Sequence, residues 1–148
     1  MSSQDFKGST ALIEESSNSS RSNSAVKYSE FLKLPLGLTG FFDFEEAKAY
    51  AQQVGKPLFI DFTGHGCVNC REMEARVWSD PRVLKKLKED YIVVSLYTDD
   101  KTSLPEAEQF DSKILGTRVN TVGKKFKHLQ AERFNTISQP YYVLLGTD

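Results

Sequence analysis

The sequence predicts an α/β fold in which a central sheet is covered by helices on both sides. Residues 58–62 are apolar except for Asp61, which is typical of a central strand buried on both faces. Residues 58–97 follow the order strand, helix, helix, strand, which predicts a parallel strand pair joined by a helical crossover. Pro140 precedes the β-rich run 141–145, and a proline is tolerated at the start of a strand.

The chain of 148 residues divides into two parts. Residues 1–35 are predicted to be a disordered or linker segment with an extended lead-in, and residues 36–148 a single domain. Nine serines and few large apolar residues lie within residues 1–24, so this segment buries too little surface to offset its ordering entropy. A domain of this size supports a single hydrophobic core.

Composition argues against two classes of function. The formal net charge is -1, which does not fit the concentrated basic surface of a nucleic-acid-binding protein. The lysine runs at residues 85–88 and 124–127 are each interrupted by an apolar residue, as on the solvated face of a helix. No apolar run approaches the roughly 18 residues of a membrane span, so we expect no membrane insertion of this segment.

The first helix has clear boundaries in the sequence. Asp43 followed by Glu46 resembles a capping box at the helix start. Gly55 provides a stop, and Pro57 prevents the helix from continuing.

Two further helices are predicted between the strands. The helix that begins at Cys67 has an apolar stripe, whose members are Cys70, Met73, Val77 and Trp78. Its charged residues, Glu74 among them, are expected to face water, and Trp78 to lie in the core. A second helix starts at Pro81, with Asp80 as its cap.

Between the second helix and the strand 141–145, the sequence predicts a further strand, a helix start and a longer helix. Residues 91–97 predict a strand that ends at an acidic turn formed by Asp99 and Asp100. Pro105 looks like the start of a helix, and apolar residues at helical intervals predict another helix over 122–134.

Cys67 and Cys70 are the only cysteines in the chain, and they form a Cys-x-x-Cys pair. A cross-link that closes so short a loop adds little stability, because the entropic gain grows with loop length. The pair is therefore better explained by chemistry. The alternatives are a zinc half-site or two inert core thiols, although His65 and His128 are the only histidines available to complete a zinc site.

Together these motifs resemble the thioredoxin superfamily, and more narrowly the C-terminal thioredoxin-like domain of the DsbD family of thiol:disulfide interchange proteins. The resemblance is carried by separated pieces that agree in order: Gly55-Lys56-Pro57, Asp61-Phe62, Cys67-Val68-Asn69-Cys70-Arg71-Glu72-Met73-Glu74, Ser79-Asp80-Pro81-Arg82-Val83 and, more loosely, Pro140. It implies a thioredoxin-like fold with a mixed sheet. The final strand and helix of that fold are expected to be missing, which would leave one sheet edge uncovered.

The resemblance implies that Cys67 and Cys70 form a redox-active disulfide and that no other cofactor is needed. At a helix N-terminus, Cys67 is expected to be the nucleophile, since backbone N–H groups and the helix dipole favour its thiolate. Cys70, one turn later and more buried, is expected to resolve the mixed disulfide.

Asp61 matches the buried acid of the family. Burial in an apolar strand should raise its pKa and allow it to exchange a proton with Cys70. The alternative is a strand-end aspartate bonded to backbone.

Four further residues are expected to contact partners. Pro140 is expected to be a cis-proline, with the backbone of Gln139 pairing with an extended segment of the partner. Gly66 leaves room for that segment. His65 could tune the thiolate when protonated, or could simply be solvated.

The expected function is therefore a thiol–disulfide oxidoreductase domain that relays electrons to protein disulfides. By resemblance, its partners are a transmembrane donor domain and a soluble acceptor domain, and its location is periplasmic, with a cytoplasmic location as the alternative. We expect a monomer. A non-enzymatic thioredoxin-like binding module and a free-standing reductase or isomerase remain as alternatives.

Overall fold

A three-stranded mixed sheet forms the centre of the fold in the computed structural model, which describes residues 25–147. Strand β1 (Leu58–Thr63) lies in the middle, with β2 (Ile92–Tyr97) parallel to it on one side. On its other side β5 (Tyr141–Leu145) runs antiparallel. Within residues 25–147 no strand pairs with the outer edge of β5. The predicted mixed sheet is confirmed, whereas the serine-rich tail 1–24 lies outside the described residues.

The described part of the chain also contains four α-helices and a small hairpin. The helices are α1 (Phe44–Val54), α2 (Val68–Met73), α3 (Pro81–Glu89) and α4 (Val122–Phe134). The hairpin consists of β3 (Phe110–Ser112) and β4 (Thr117–Val119). No helix in the described range is long and apolar enough to cross a bilayer.

Helix α1 has the predicted ends. The Asp43 carboxylate accepts a hydrogen bond from the Glu46 N–H at 3.1 Å, which satisfies one of the unpaired donors of the first turn. At the other end, Gly55 adopts the left-handed conformation with φ 71°, where a residue with a Cβ would be strained.

Helix α2 continues as a π-helical turn over Glu74–Trp78. Because of this turn, the residues that face the core differ from the predicted apolar stripe. The Ser79 N–H donates to the Glu74 carbonyl five residues earlier, so the inner face is shifted relative to an α-helix. Trp78 is buried as predicted, but Val77 is 41% exposed and its assignment to the stripe was wrong. The Glu74 side chain was expected to face water and is only 12% exposed.

The segment between β2 and α4 differs most from the prediction. Pro105 begins no α-helix, because only a short 3-10 turn forms over Glu106–Glu108. The hairpin of β3 and β4 was not predicted, since strands of three residues are too short to show an alternating pattern. Helix α4 has the predicted bounds, and the Thr121 hydroxyl accepts from the Lys124 N–H at its start.

The segment before α1 packs against the domain. Leu32 is 2% exposed and lies in a cluster with Phe42 and Tyr97. Lys125 on α4 bonds this segment to the domain. Its ammonium group donates to the Tyr28 hydroxyl at 3.0 Å and to the Asp43 carboxylate at 2.9 Å. The boundary drawn between residues 35 and 36 stays a prediction.

Candidate active site

The two cysteines lie at the start of α2, immediately after the turn that follows β1. They are joined by a disulfide with a Cα–Cα distance of 5.2 Å. Cys67 is the N-cap residue, and its sulfur accepts a hydrogen bond from the Cys70 N–H at 3.1 Å. Cys67 is partly exposed, whereas Cys70 is 1% exposed. An incoming sulfur therefore reaches Cys67 first.

A groove of about 440 Å³ lies beside Cys67. Its lining residues are Gly66, Cys67, Val68, Asn69, Asp99, Ile137 and Gln139. Val68 is 73% and Ile137 50% exposed, so two apolar side chains border the groove. Of the residues expected to contact partners, Gly66 and Gln139 line the groove, whereas His65 and Pro140 do not.

The loop before β5 contributes one wall of this groove. The Gln139–Pro140 peptide bond is cis, as the resemblance implied. The Gln139 side-chain amide donates to the Thr98 hydroxyl, which ties the loop to the end of β2. The buried Gln130 amide on α4 donates to the Ser138 carbonyl at 2.8 Å and holds the loop from the other side. The backbone pairing of Gln139 with a partner stays a prediction.

Asp61 is buried in β1, with 1% of its surface exposed. Burial raises its pKa from 3.8 to about 7, because a charged carboxylate is poorly solvated there. The Ser95 hydroxyl on β2 donates to its carboxylate at 2.8 Å and opposes this rise. The hydrogen-bond partner of Asp61 is thus a side chain of the neighbouring strand. An acid with a pKa near neutrality can both take up and release a proton.

Arg71 and Glu74 on the cysteine helix also act on Asp61, and the sequence did not indicate either of them. The Arg71 guanidinium donates to the Thr63 hydroxyl at 2.8 Å and to the Glu74 carboxylate at 3.1 Å. Burial raises the pKa of Glu74, with Arg71 opposing the rise. The negative charge of Glu74 further raises the pKa of Asp61, whereas Arg71 lowers it. Asp61 is therefore coupled to the helix that carries Cys70.

Asp99 and Asp100 hold the turn before Cys67, a role that the sequence analysis missed. The Asp99 carboxylate accepts from the N–H groups of His65 at 2.7 Å and Gly66 at 2.9 Å. The His65 imidazole lies 2.8 Å from the Asp100 carboxylate and stacks on the Tyr97 ring. The sequence did contain a signal for this contact. Parallel strands end at the same edge of a sheet, so the acidic turn after β2 must lie next to the turn after β1.

Asp100 has a lowered pKa despite its position. Burial works against ionisation of its carboxyl group, but the hydrogen bonds from His65 and Thr102 outweigh burial and lower the pKa. Within residues 25–147 no group of three or more His, Cys, Asp or Glu side chains is arranged to hold a metal ion.

Gly64 is expected to be the position in this turn least tolerant of a side chain. A Cβ there would lie 2.9 Å from the Gln139 amide oxygen and 3.1 Å from an Asp99 carboxylate oxygen. Gly64→Ala should therefore lower the free energy of unfolding by about 1–2 kcal/mol, measured by chemical denaturation of the oxidised protein. The control is Gly66→Ala, whose Cβ would have its nearest contact at 3.8 Å. Equal losses in the two variants would contradict this account of the turn.

Comparison with known proteins agrees with the fold and with the cysteine pair. A family model described as thioredoxin-like matches residues 39–120, which is more than half of the chain. The chain therefore belongs to the thioredoxin-like family, and the resemblance drawn from its motifs is confirmed at that level.

Particular relatives agree over shorter stretches. Thiol:disulfide interchange protein DsbD from Salmonella paratyphi A and from Salmonella typhimurium is 48% identical over 40 residues, which is 27% of this chain and 7% of those proteins. Among solved structures, a DsbH oxidoreductase aligns over 87% of this chain and 80% of its own, with 17% identity and a TM-score of 0.51. That likeness concerns the fold. Membership of the family and the Cys67–Cys70 disulfide together support thiol–disulfide exchange as the general chemistry of the site.

Proposed function

We propose that this domain is a disulfide reductase that passes electrons from a donor to protein disulfides through Cys67 and Cys70. One observation carries the proposal most directly. Cys67 lies in an open groove and receives a backbone N–H at its sulfur, whereas Cys70 is buried behind it. Such a pair provides an accessible nucleophile and a protected resolving thiol.

The reaction begins from the reduced pair. The Cys67 thiolate attacks one sulfur of the partner disulfide, forming a mixed disulfide and releasing the other partner sulfur as a thiolate. Cys70 then loses its proton and attacks the Cys67 sulfur, which closes the Cys67–Cys70 disulfide and releases the second partner thiolate. Two electrons pass to the partner. One proton for its two new thiols comes from Cys70, and the other comes from solvent, to which Cys67 released its own proton on forming the thiolate.

Asp61 is proposed to serve the second step. Its carboxylate is buried and electrostatically coupled to the helix that bears Cys70, and its pKa lies near neutrality. It is therefore suited to accept the Cys70 proton when the mixed disulfide is resolved.

The partners are proposed by likeness to DsbD. The 48% identity over 40 residues supports a donor domain in a membrane and a soluble acceptor domain, and hence an extracytoplasmic location in the periplasm. The match spans 7% of the length of those relatives. The mechanism requires no cofactor beyond the disulfide itself.

Reduction of insulin by dithiothreitol tests the exchange chemistry. The wild-type domain should accelerate precipitation of the insulin B chain, and Cys67→Ala should abolish the acceleration because the attacking sulfur is lost. Val77→Ala, on the exposed face of the same helical segment, should retain full activity. A wild-type domain without turnover would instead favour the non-enzymatic binding module.

The relay itself needs a second test. A DsbD chimaera that carries this domain in place of its own C-terminal domain should restore disulfide reduction in a strain lacking DsbD, and the same chimaera with Cys67→Ala should not. An active domain that fails in the chimaera would support a free-standing reductase or isomerase.

A further inference from the structure

We infer that Asp99 is a positioning residue that fixes the turn before Cys67 and whose negative charge disfavours the Cys67 thiolate, which makes the reduced pair a stronger electron donor. This inference rests on the proposed function and deepens it, because it concerns the direction in which the pair transfers electrons. It is carried by the contacts of Asp99 and by its position in the groove.

The contacts of Asp99 are directed at the turn backbone. Its two carboxylate oxygens accept from consecutive N–H groups, those of His65 at 2.7 Å and Gly66 at 2.9 Å. Hydrogen bonds to a charged acceptor are among the stronger ones in proteins. These two N–H groups therefore point at Asp99 instead of at the sulfur of the next residue, Cys67. The N–H bonded to that sulfur belongs to Cys70.

The charge of Asp99 faces the same space as the nucleophile. Asp99 and Cys67 both line the groove, and Asp99 is the only acid among its described lining residues. Five other ionisable side chains near the site are hydrogen-bonded to a neighbouring side chain: His65 with Asp100, Arg71 with Glu74, and Asp61 with Ser95. A carboxylate beside a thiolate raises the free energy of the thiolate by Coulomb repulsion. The disulfide carries no charge, so the repulsion is present only in the reduced protein.

The consequence depends on pH. Well below the pKa of Cys67 the reduced form is the neutral dithiol, and the charge of Asp99 has little influence on the redox potential. Above that pKa the reduced form carries the thiolate, and repulsion from Asp99 shifts the equilibrium toward the disulfide. The wild-type pair should then release electrons more readily than a pair without this charge.

The test compares Asp99→Asn with the wild-type protein in two measurements that need no biological partner. The pH dependence of Cys67 alkylation by iodoacetamide reports the thiolate, and equilibration with glutathione across pH reports the potential. Asp99→Asn should lower the pKa of Cys67 and, at pH values above it, make the glutathione equilibrium about threefold to tenfold less reducing, which is about 15–30 mV. The two potentials should converge at low pH. Because Asp99 is exposed, the difference should shrink in 1 M salt, where the screening length is about 3 Å.

Asp90→Asn is the matched control, since it removes the same charge at the opposite end of β2. A strand of this length spans about 20 Å, and Asp90 is paired with Lys86 on the surface. This control should leave both measurements unchanged. A pKa or potential in Asp99→Asn that equals the wild-type value, or a shift that persists undiminished in 1 M salt, would overturn the inference. Absence of any exchange with glutathione in the wild-type protein would instead refute the proposed function.

Discussion

Replacing Cys70 by serine is expected to convert the domain from a turnover catalyst into a trap for its partners. Cys67 remains in the groove and can still attack a disulfide, but the buried thiol that resolves the mixed disulfide is gone. Intramolecular attack by a well-placed group corresponds to a very high effective concentration. Millimolar external thiol cannot match it, so turnover in the insulin assay should fall by at least about 10³-fold.

The measurement is the amount of covalent adduct on non-reducing gels after incubation with a disulfide-containing protein. Cys70→Ser should accumulate an adduct that dithiothreitol releases, whereas Cys67→Ser should form none. Adducts formed equally through either cysteine would contradict the assignment of Cys67 as nucleophile. The trapped species also provides a route to the natural acceptor, because it can be isolated from an extract of the source cells and identified.

The sequence was most informative where local chemistry determines the structure. Asp43 and Gly55 define the ends of α1 through a side-chain cap and a left-handed residue, and both signals are visible in the sequence. Cys67 and Cys70 are separated by one helical turn, so their arrangement follows from the start of α2 alone. The cis peptide bond before Pro140 could be expected only from the family resemblance, because proline by itself favours trans.

The parts that were missed depend on long-range contacts or on small changes in helix geometry. Asp99 reaches the turn before Cys67 across 33 residues of sequence, and only the parallel pairing of β1 and β2 brings the two together. A single π-helical turn exposes Val77 and partly buries Glu74, and no periodic pattern predicts such a turn. Both features lie next to the cysteine pair, one on the turn before Cys67 and the other on the helical segment that follows Cys70.

Asp61→Asn is expected to slow disulfide reduction and to stabilise the protein above neutral pH. The amide cannot accept the Cys70 proton, so the rate at pH 7 should fall by about 10²-fold, the lower end of the usual contribution of general acid–base catalysis. The pH–rate profile of the variant should also lose the ionisation near 7 that belongs to this carboxyl group. An unchanged rate at neutral pH would refute the proposed proton transfer.

The same substitution should lower the reaction rate but raise the free energy of unfolding above neutral pH, relative to wild type. The pKa of Asp61 is about 7 in the folded protein and about 4 in the unfolded chain, so between these values the folded state binds more protons. Asp61 therefore makes its full contribution to the free energy of unfolding below about pH 4. This contribution falls as the pH rises to about 7 and does not change further above that pH. A difference of about three pH units corresponds to at most about 4 kcal/mol.

Urea denaturation at pH 4 and pH 8 measures this effect, and subtracting the wild-type curve removes the contributions of other ionisable groups. Relative to wild type, Asp61→Asn should be more stable at pH 8 than at pH 4 by several kcal/mol, whereas the surface variant Asp90→Asn should show no such trend. Ser95→Ala provides an independent check, because the Ser95 hydroxyl donates to the Asp61 carboxylate and holds its pKa down. Losing that donor should raise the pKa further and extend the fall in stability to higher pH. If the free energy of unfolding of the wild-type protein changed with pH no more than that of Asp61→Asn, Asp61 would ionise at its ordinary pKa. Burial would then not prepare this acid for proton transfer with Cys70.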